Sequence, residues 1–464
     1  MIETARILGA FEELLARADL RRRRLLSVTV ATELADPAAT VFGSRLAGDR
    51  WFAWEQPERD GFALVGLGSA HEAASRGPGR FDDLVEECSR TMRGRIADEP
   101  QGLPAGAGPV WTGGFAFSPY GAATPPWSSF PPALLVLPEL SILRLGAETW
   151  LTLSAVAGAD ADRDRLLARL AARFASLHER DLPFPDPHPV GEHRITSVIA
   201  PRGFEEAVAA ATDRIEAGRL EKVVLAREVA VEAPAAHDPA ATFSALRELF
   251  PSCFCFCVGS PQGAFLGASP ELLIRRRGAG AATVALAGST RRSADPAVDD
   301  HLGEQLLRSD KERHEQAIVT RRIERTLAPR SVWVEAEREP TLVKVANIQH
   351  LATPVHAQLS EPLSAIELAG LLHPTPAVGG EPAELALETI AELEQLDRGW
   401  YAGPVGWMDA AEDGEFCVAL RSALFRDRTA HLYAGAGIVA DSDPAAELAE
   451  TELKLEALLP LLTG

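Results

Sequence analysis

Two patterns of hydrophobic positions meet at the most proline-rich segment of the chain, DLPFPDPHPV, at residues 181–190. Before it lie short apolar runs of the length of β-strands: WFAWE, FALVGLG, WTGGFAFS, ALLVLPELSILRL and TWLTLSAV. After it, helical and strand spacings alternate more clearly. We therefore predict a sheet-rich, non-catalytic N-terminal half over residues 1–190 and a second region over residues 200–464, joined by an extended connector. The two are expected to pack together as one structural unit.

Individual helices and strands can be placed in the second region. One helical face, which Gly218 ends, consists of Phe204, Val208, Thr212 and Ile215. KVVLAREVAV predicts a strand, and GAFLGA and ELLIRRR predict two more. Long helices are predicted over residues 311–327 and from residue 444 to about 462. The chain is therefore predicted to be α+β, with large antiparallel β-sheets flanked by helices.

The charge balance excludes several classes of partner. The chain has 464 residues, of which 46% are hydrophobic, and its net charge of −20 disfavours nucleic acid. No run approaches the roughly 18 apolar residues of a membrane span. The N-terminus lacks a signal-peptide core, so we expect no membrane partner and a cytoplasmic location. An acidic protein that binds an anion must concentrate cations in one pocket, which makes basic residues within motifs informative.

Three of the five cysteines alternate with phenylalanine in the segment SCFCFCV. On a strand, Cys253, Cys255 and Cys257 face one side, and Phe254 and Phe256 face the other. Zinc sites generally need CxxC-like spacing and a second pair of ligands, which the chain lacks. We interpret these cysteines as small buried apolar residues in a reducing compartment.

The last predicted helix carries a charged stripe. Asp443 and Pro444 provide an N-cap and a first-turn proline, and Glu447, Glu450 and Lys454 then recur beside a stripe of leucines. The spacing alone favours a solvated ladder of glutamate and lysine. The alternative is two carboxylates for a hard cation and an ammonium for an anion at the edge of a pocket.

The helix predicted over residues 311–327 repeats this arrangement, with Glu312 and Glu315 one turn apart near its start. Both match the helix dipole, and Ser309 with Glu312 fits a capping box. Equally, Mg²⁺ usually takes one or two carboxylates, keeps waters and lets an anionic ligand complete its octahedron. One glutamate from each of the two helices would suffice for such a site.

Three charged residues within apolar segments are further candidates. Lys222, at the head of KVVLAR, either snorkels to solvent or, if desolvated, serves as a general base. Glu271, in GASPELL, is either exposed at a strand edge or buried, protonated and able to act as an acid. Arg421, within the apolar strand CVALRSAL, needs an anionic partner if it is buried.

The order of these motifs along the chain resembles the chorismate-binding enzymes, a family that includes isochorismate, salicylate, anthranilate and aminodeoxychorismate synthases. The resemblance spans residues 204–462 and is carried by KVVLAR, GASPELL, ALAGSTR, SDKERHEQAIV, IQHLAT, LHPTPAVGG, RGWYAGPVGW, FCVALRSAL, LYAGAGIV and PAAELAETELK. It implies the fold of anthranilate synthase component I, chorismate as substrate and Mg²⁺ as cofactor.

The resemblance also implies a role for each matching residue. Lys222 is the base that activates water at C2 of chorismate, Glu271 is the acid that protonates the departing C4 hydroxyl, and His350 lies near that hydroxyl. The metal residues are the ligands Glu315 and Glu450 with their neighbours Glu312 and Glu447. The substrate-binding residues are Gly288, Ser289, Ala377, Tyr401, Arg421, Gly435 and Lys454.

Two positions distinguish between members of the family. Lys222 favours water over ammonia as nucleophile, so no glutaminase subunit is expected. Ala377 stands where salicylate synthases typically carry threonine, which favours a reaction that stops at isochorismate. The sequence thus predicts an isochorismate synthase, an isomerase. The alternatives are salicylate synthase, another chorismate-utilising enzyme such as aminodeoxychorismate synthase component I, and a non-catalytic chorismate-binding paralogue.

The remaining expectations concern the context of the reaction. The segments GGFAFSP and WSSFPPALLVLPE resemble the longer, menaquinone-type isochorismate synthases, and the product is expected to feed menaquinone, salicylate or siderophore biosynthesis. A monomer is expected. One departure from the family is Gln316, which follows Glu315 where the family commonly has histidine. A change in the tuning of the metal site, and not a loss of activity, is expected from it.

Overall fold

The computed structural model describes residues 2–186 and 191–463, so part of the predicted connector, residues 187–190, lies outside the described residues. The helices of the described chain are α1 (Ile2–Arg17), α2 (Pro37–Ser44), α3 (Arg80–Arg93), α4 (Arg163–Ala175), α5 (Pro201–Glu216), α6 (Pro239–Leu249), α7 (Pro296–Arg308), α8 (Asp310–Leu327), α9 (Ala365–Leu372), α10 (Ala383–Leu393), α11 (Pro444–Leu455) and α12 (Leu459–Thr463). Within these ranges no helix is both long and apolar enough to cross a membrane.

The strands lie between these helices. They are β1 (Arg24–Thr32), β2 (Trp51–Gln56), β3 (Phe62–Leu67), β4 (His71–Ser75), β5 (Ile96–Asp98), β6 (Val110–Phe115), β7 (Ala133–Leu137), β8 (Leu140–Leu145), β9 (Glu148–Ala157), β10 (Arg194–Ser197), β11 (Lys222–Glu232), β12 (Phe254–Ser260), β13 (Gly263–Ser269), β14 (Leu272–Arg277), β15 (Gly280–Arg291), β16 (Ser331–Ala336), β17 (Thr341–Lys344), β18 (Ile348–Leu359), β19 (Gly380–Glu381), β20 (Pro404–Asp409), β21 (Gly414–Val418), β22 (Ser422–Arg426) and β23 (Thr429–Ile438).

The strands form two large sheets. The first has 13 strands in the order β10-β11-β23-β22-β13-β12-β2-β3-β8-β9-β1-β5, with β19 paired to β11. The second has 10 strands in the order β16-β18-β15-β14-β21-β20-β6-β7-β4, with β17 paired to β18. Among the described strands, β1 and β5 form the one parallel pair. The predicted antiparallel α+β architecture is confirmed.

Each sheet contains strands from both sides of the proline-rich segment. In the first sheet β12 pairs with β2, where Phe256 lies opposite Trp54. In the second sheet β20 pairs with β6, where Trp407 lies opposite Thr112. The ladder hydrogen bonds of both sheets therefore continue without a gap from the N-terminal half into the second region.

The cysteine-rich strand β12 separates two hydrophobic clusters. Cys255 and Cys257 pack into one cluster, with Cys253 just before the strand, while Phe254 and Phe256 pack into the other. All five cysteines are buried free thiols. The prediction that these cysteines are small apolar core residues on one face of a strand is confirmed.

Most predicted elements are found at their predicted positions, with three corrections. The predicted last helix is two helices, because Pro460 cannot donate the backbone hydrogen bond that would continue α11. On α5 the buried stripe contains Ala211 in place of Thr212. The run ALLVLPELSILRL is two strands, β7 and β8, which belong to different sheets.

Two of the other places where the chain passes from one sheet to the other lie next to candidate residues. Pro270 and Glu271 join β13 of the first sheet to β14 of the second, and residues 419–421 join β21 of the second sheet to β22 of the first. The two crossings touch, because the Val418 N–H donates to the Glu271 carbonyl and the Ala268 N–H donates to the Arg421 carbonyl. Candidate residues from distant parts of the sequence thus meet at one point.

Candidate active site

A cavity lies at these crossings and brings together most of the predicted site residues. Eleven of the fourteen line it: Glu271, Gly288, Ser289, Glu315, His350, Ala377, Tyr401, Arg421, Gly435, Glu450 and Lys454. The other three, Lys222, Glu312 and Glu447, lie directly behind this lining, as described below. Every lining residue belongs to the second region of the chain.

Glu271 is held at its crossing and buried. Its N–H donates to Ser269 Oγ over 3.2 Å, and only 3% of the residue is exposed. Burial raises the pKa of its carboxyl group to about 8, although Lys222 and the Thr375 hydroxyl act in the opposite direction. A carboxyl group in this state carries a proton at neutral pH and can donate it into the cavity. Exposure at a strand edge, the alternative interpretation of the sequence, is excluded.

Lys222 is fully buried at the start of β11, so it does not snorkel to solvent. Its Nζ lies 2.7 Å from Glu315 Oε1. Both side chains run along Gly437, since a Cβ added there would lie 3.1 Å from Lys222 Cε and 2.5 Å from Glu315 Oε1. The predicted base therefore lies just behind the cavity lining and beside a predicted metal ligand, a contact that the sequence does not reveal.

The four predicted metal residues converge from α8 and α11. Burial, with repulsion from Glu315, raises the pKa of Glu312 to about 7, and burial with repulsion from Glu450 raises the pKa of Glu447. Burial opposes the charge on Glu450 too, but contacts led by Lys454 reverse this effect and lower its pKa. Glu447 is 2% exposed, and Glu450 and Lys454 line the cavity, so these residues do not form the solvated ladder that the spacing alone favoured.

Three lysines pair with these carboxylates. Besides the Lys222 contact, Lys454 Nζ lies 2.7 Å from Glu450 Oε1, and Lys311 Nζ lies 3.2 Å from Glu447 Oε1. Lys454 Nζ also donates to the Gly435 carbonyl over 2.8 Å. Each of the carboxylates Glu315, Glu447 and Glu450 is therefore within contact of a lysine, and of these lysines Lys454 lines the cavity.

The strand β15 bends around the same cluster. Its register with β18 shifts between Ala287 and Ser289, and Gly288 there has φ +72°. A Cβ on Gly288 would lie 2.7 Å from Glu312 Oε2. Ser289 Oγ donates to Glu450 Oε1 over 3.0 Å. Ser309 does cap α8, but the Glu312 side chain turns to Gly288 and Ser289 instead of completing a capping box.

The carboxylate cluster suits Mg²⁺ by the chemistry of its donors. Hard carboxylate oxygens from two helices meet beside the cavity, and like-charge repulsion between them is relieved by a cation. No group of three or more histidine, cysteine, aspartate or glutamate side chains able to hold a metal ion occurs in residues 2–186 and 191–463. Mg²⁺ tolerates such a sparse set, since one or two carboxylates suffice when waters and an anionic ligand supply the rest.

Arg421 and His350 line the cavity as a hydrogen-bonded pair. Arg421 Nη2 donates to His350 Nε2 over 2.7 Å, so His350 Nδ1 carries the proton that points at the Gly288 carbonyl 3.3 Å away. Burial, with the positive charge of Arg421, lowers the pKa of His350 far below its ordinary value and keeps the ring neutral. Arg421 Nη1 is buried and has no hydrogen-bond partner in the described part of the chain. It is therefore available to an anion in the cavity.

Arg421 does not lie inside a strand, as the apolar run had indicated, but in the crossing between β21 and β22, with φ +47°. Near it, the Tyr401 ring stacks on Tyr433 with a centroid distance of 5.3 Å. A Cβ on Gly435 would lie 3.1 Å from the Tyr401 hydroxyl. The phenol, the glycine and the guanidinium thus all line the cavity.

Several residues around the cavity were not among the sequence candidates. Arg398 and Tyr433 line it, Thr375 contacts Glu271, and Lys311 pairs with Glu447. For Arg398 a signal was present, since RGWYAG places a charge in an apolar motif as CVALRSAL does. Thr375 and Lys311 carried no such signal, because their contacts depend on elements distant in the sequence.

Gln316, the departure from the family, points away from the cavity. Its Nε2 donates to the Ala285 carbonyl over 2.8 Å and to Thr353 Oγ1 over 2.9 Å. These bonds attach α8 to β15 and β18. The residue therefore fixes the helix that carries Glu312 and Glu315 without touching the cavity.

Comparison with known proteins agrees with this arrangement. The salicylate biosynthesis isochorismate synthase of Pseudomonas aeruginosa is 36% identical over 461 residues, which are 98% of this chain and 94% of the relative. The structure of MenF, the menaquinone-specific isochorismate synthase from Escherichia coli, aligns with a TM-score of 0.79 and 29% identity over 98% of this chain and 99% of the other.

A more distant solved structure shares the fold alone. Anthranilate synthase component I from Streptococcus pneumoniae aligns with a TM-score of 0.66 at 22% identity, over 86% of this chain and 92% of the other. The predicted fold class is confirmed. The family described as chorismate binding enzyme matches residues 10–463. The chain therefore belongs to the family of chorismate binding enzymes.

Proposed function

We propose that this protein is an isochorismate synthase, an isomerase that converts chorismate to isochorismate. One observation supports the proposal: Glu271 lines the cavity as a buried carboxyl group, and the fully buried Lys222 lies behind the lining within electrostatic reach of it. Addition of water with loss of a hydroxyl group requires such a pair, one group to accept a proton and one to donate it.

In the proposed reaction Lys222 takes a proton from a water molecule as its oxygen bonds to C2 of chorismate. The ring double bonds shift, the C4–O bond breaks, and Glu271 gives its proton to the departing hydroxyl, which leaves as water. One water enters and one leaves, so substrate and product are isomers. Lys222 ends protonated and Glu271 ends as a carboxylate, and proton exchange with solvent resets both.

The remaining residues would orient the substrate dianion. Arg421, with its free Nη1, and Tyr401 would bind the enolpyruvyl carboxylate. Lys454 lies beside Glu450, and Glu315 and Glu450 would hold Mg²⁺ while Glu312 and Glu447 would order its waters. When bound, Mg²⁺ supplies the positive charge that fixes the ring carboxylate.

Gly288, Ser289 and Gly435 would shape the wall around the ring, and His350 would lie near the departing hydroxyl. Lys222 argues for water as nucleophile, so the proposal includes no glutaminase subunit, and we propose a monomer in the cytoplasm. Ala377 argues that the reaction stops at isochorismate. The relatives are named for salicylate and for menaquinone biosynthesis. We therefore extend the proposal to isochorismate and no further.

The test is to incubate the purified protein with chorismate and Mg²⁺ and to separate the products by chromatography. Isochorismate is expected, with none formed by Lys222→Ala, which should still bind chorismate. Salicylate would move the assignment to salicylate synthase, and anthranilate on addition of ammonium would move it to the ammonia-using enzymes. Tight chorismate binding without turnover by the wild type would indicate a non-catalytic paralogue.

A further inference from the structure

Arg398 lines the cavity, but most of its N–H donors form hydrogen bonds with other groups of the protein. Nε donates to Glu394 Oε2 over 2.8 Å, Nη1 to the Val378 carbonyl over 2.8 Å, and Nη2 to the Val224 carbonyl over 2.9 Å. Nη2 also donates to Glu394 Oε1. A guanidinium has five N–H donors, so these four bonds leave at most one for a ligand. Arg398 therefore differs from Arg421, whose Nη1 is free.

The two carbonyls that Arg398 binds belong to two different walls of the cavity. Val224 follows Lys222 by two residues on β11, while Val378 follows Ala377 in the turn of residues 375–379. That turn also carries Thr375, whose hydroxyl contacts Glu271. Arg398 thus links the strand of the proposed base to the turn that touches the proposed acid and carries the position that distinguishes products.

Glu394 strengthens the link on one side. Its Oε1 accepts the N–H of Ala226 over 2.8 Å, two residues further along β11. The Arg398–Glu394 pair is almost completely buried, with 3% and 2% of the two side chains exposed. A buried pair of this kind persists only when its hydrogen bonds are satisfied, and here they are satisfied by the backbone of both walls.

Phe117, a residue of the N-terminal half, packs on one face of the Arg398 guanidinium. Arg398 Cζ lies 4.1 Å from the centroid of the Phe117 ring, a cation–π distance. The Phe117 carbonyl accepts from His373 Nε2 over 2.9 Å, and its N–H donates to the Gly399 carbonyl over 2.8 Å. Phe117 therefore contacts both the start of the turn and the segment that carries Arg398.

We propose that Arg398, held by Glu394 and Phe117, is a positioning residue that fixes the turn of residues 375–379 against the Lys222 strand and so keeps the bound ring in one orientation between Lys222 and Glu271. The inference rests on the proposed function for its substrate. It assigns the N-terminal half a role in the reaction, exerted through Phe117 and not through contact with the substrate.

The test compares Arg398→Lys with Phe117→Leu. Lysine keeps the charge but is a point donor that cannot bind four acceptors in one plane. For Arg398→Lys we expect kcat to fall at least about tenfold, KM for chorismate to change less than about threefold, and by-products such as salicylate to rise. For Phe117→Leu we expect a smaller change in the same direction, since the ring contact alone is lost.

Arg173→Lys is the matched control. Arg173 is also a buried arginine in a hydrogen-bonded ion pair, with Asp49 at 2.6 Å and Glu139 at 3.1 Å, but it does not line the cavity. The Arg173→Lys substitution should lower the melting temperature and leave kcat and the product ratio unchanged. If it alters the products as Arg398→Lys does, the effect is a general loss of stability and the proposal is overturned.

Two further results overturn the proposal: wild-type kcat and products for Arg398→Lys, or a raised KM at unchanged kcat, which marks a substrate ligand. If Arg398→Lys does not fold, Phe117→Leu decides, because a lower kcat at an unchanged melting temperature supports the proposal and a wild-type kcat contradicts it. A wild-type protein that makes another product refutes the proposed function alone, and the variants are then compared on that product.

Discussion

The proton on Glu271 sets the alkaline limit of the proposed reaction. Burial raises the pKa of this carboxyl group to about 8 from an ordinary value of 4.5. The acid must be protonated, and it loses its proton as the pH rises through this value. We therefore expect kcat/KM for chorismate to fall above pH 8 and to approach a tenfold loss per pH unit. The measurement is kcat/KM between pH 6 and 10 at saturating Mg²⁺.

Glu271→Gln is the control for this pH profile. The amide is similar in size but cannot donate a proton as an acid, so kcat should drop by about 10² to 10⁴ and the alkaline limb near pH 8 should disappear. A profile that stays flat or rises from pH 8 to 10 in the wild type would contradict the assignment of Glu271 as the acid.

Substitutions at Ala377 test whether the side chain at this position influences which product is formed. It lines the cavity in the turn next to Val378. Threonine there adds a hydroxyl group beside the ring, as in the salicylate synthases that the sequence resembles, and we expect Ala377→Thr to form some salicylate and pyruvate. Ala377→Val, nearly the same in shape without the hydroxyl, separates bulk from polarity. Isochorismate as sole product from both variants would remove Ala377 as a determinant.

Most of the candidate residues that the sequence singled out meet at one cavity, but their electrostatic partners could not be predicted. The motif order identified Lys222, Glu271 and Arg421. Nothing along the chain indicated that Lys222 pairs with Glu315 at 2.7 Å, because the two residues lie 93 positions apart and meet only through the packing of α8 on the sheets. A buried ion pair is a tertiary property, and the spacing of residues carries no record of it.

At the scale of elements, the placement of α8 depends on Gln316. The buried amide binds both β15 and β18, and Gln316→Leu would leave the Ala285 carbonyl and the Thr353 hydroxyl without their partner. We expect the free energy of unfolding to fall by about 2 kcal/mol. Urea denaturation followed by circular dichroism measures this change.

A comparison of two variants shows whether Gln316 acts only through the helix. Thr320 lies one turn later on α8, and its hydroxyl binds the Gln316 carbonyl within the helix. Thr320→Ala should therefore lower the free energy of unfolding by less than Gln316→Leu does. It should leave the Mg²⁺ dependence of the activity unchanged. Equal stability of Gln316→Leu and the wild type would mean that the two hydrogen bonds do not hold α8 in place.

Elements were predictable where the local pattern was strong and unpredictable where the chain changes sheet. The apolar run CVALRSAL looks like a single strand, yet Arg421 interrupts it with φ +47°. The run ALLVLPELSILRL is divided in the same way at Pro138 and Glu139. Hydrophobic spacing records burial and not sheet membership, so a crossing between two buried sheets leaves little trace beyond a proline or a charge.

At the scale of the whole molecule, both sheets combine strands from the two sides of the proline-rich segment, so we expect that neither side folds alone. Removing residues 1–190 would leave the β12 edge without β2 and the β20 edge without β6. Unpaired, apolar strand edges aggregate. We expect residues 191–464 expressed alone to be insoluble, and co-expression with residues 1–190 to restore a soluble, active complex. Soluble, folded protein from residues 191–464 alone would contradict this expectation.

Which strands would become neighbours could not be read from the sequence at all. Strand β12 lies about 200 residues from its partner β2, and β20 lies about 290 residues from β6. Each strand pattern is compatible with many partners, since side-chain alternation specifies a buried face and not a neighbour. The family resemblance supplied the fold where local patterns could not.

The two crossings that touch at Glu271 and Arg421 have a consequence for how the enzyme fails under stress. If either sheet separates from the other, the hydrogen bonds that join Val418 to Glu271 and Ala268 to Arg421 must break. Many enzymes lose activity in mild denaturant before they unfold, because their sites sit on weakly held loops. Here Glu271 and Arg421 lie in the hydrogen-bonded segments that join the two sheets. We therefore expect loss of activity and global unfolding to coincide in a single cooperative transition.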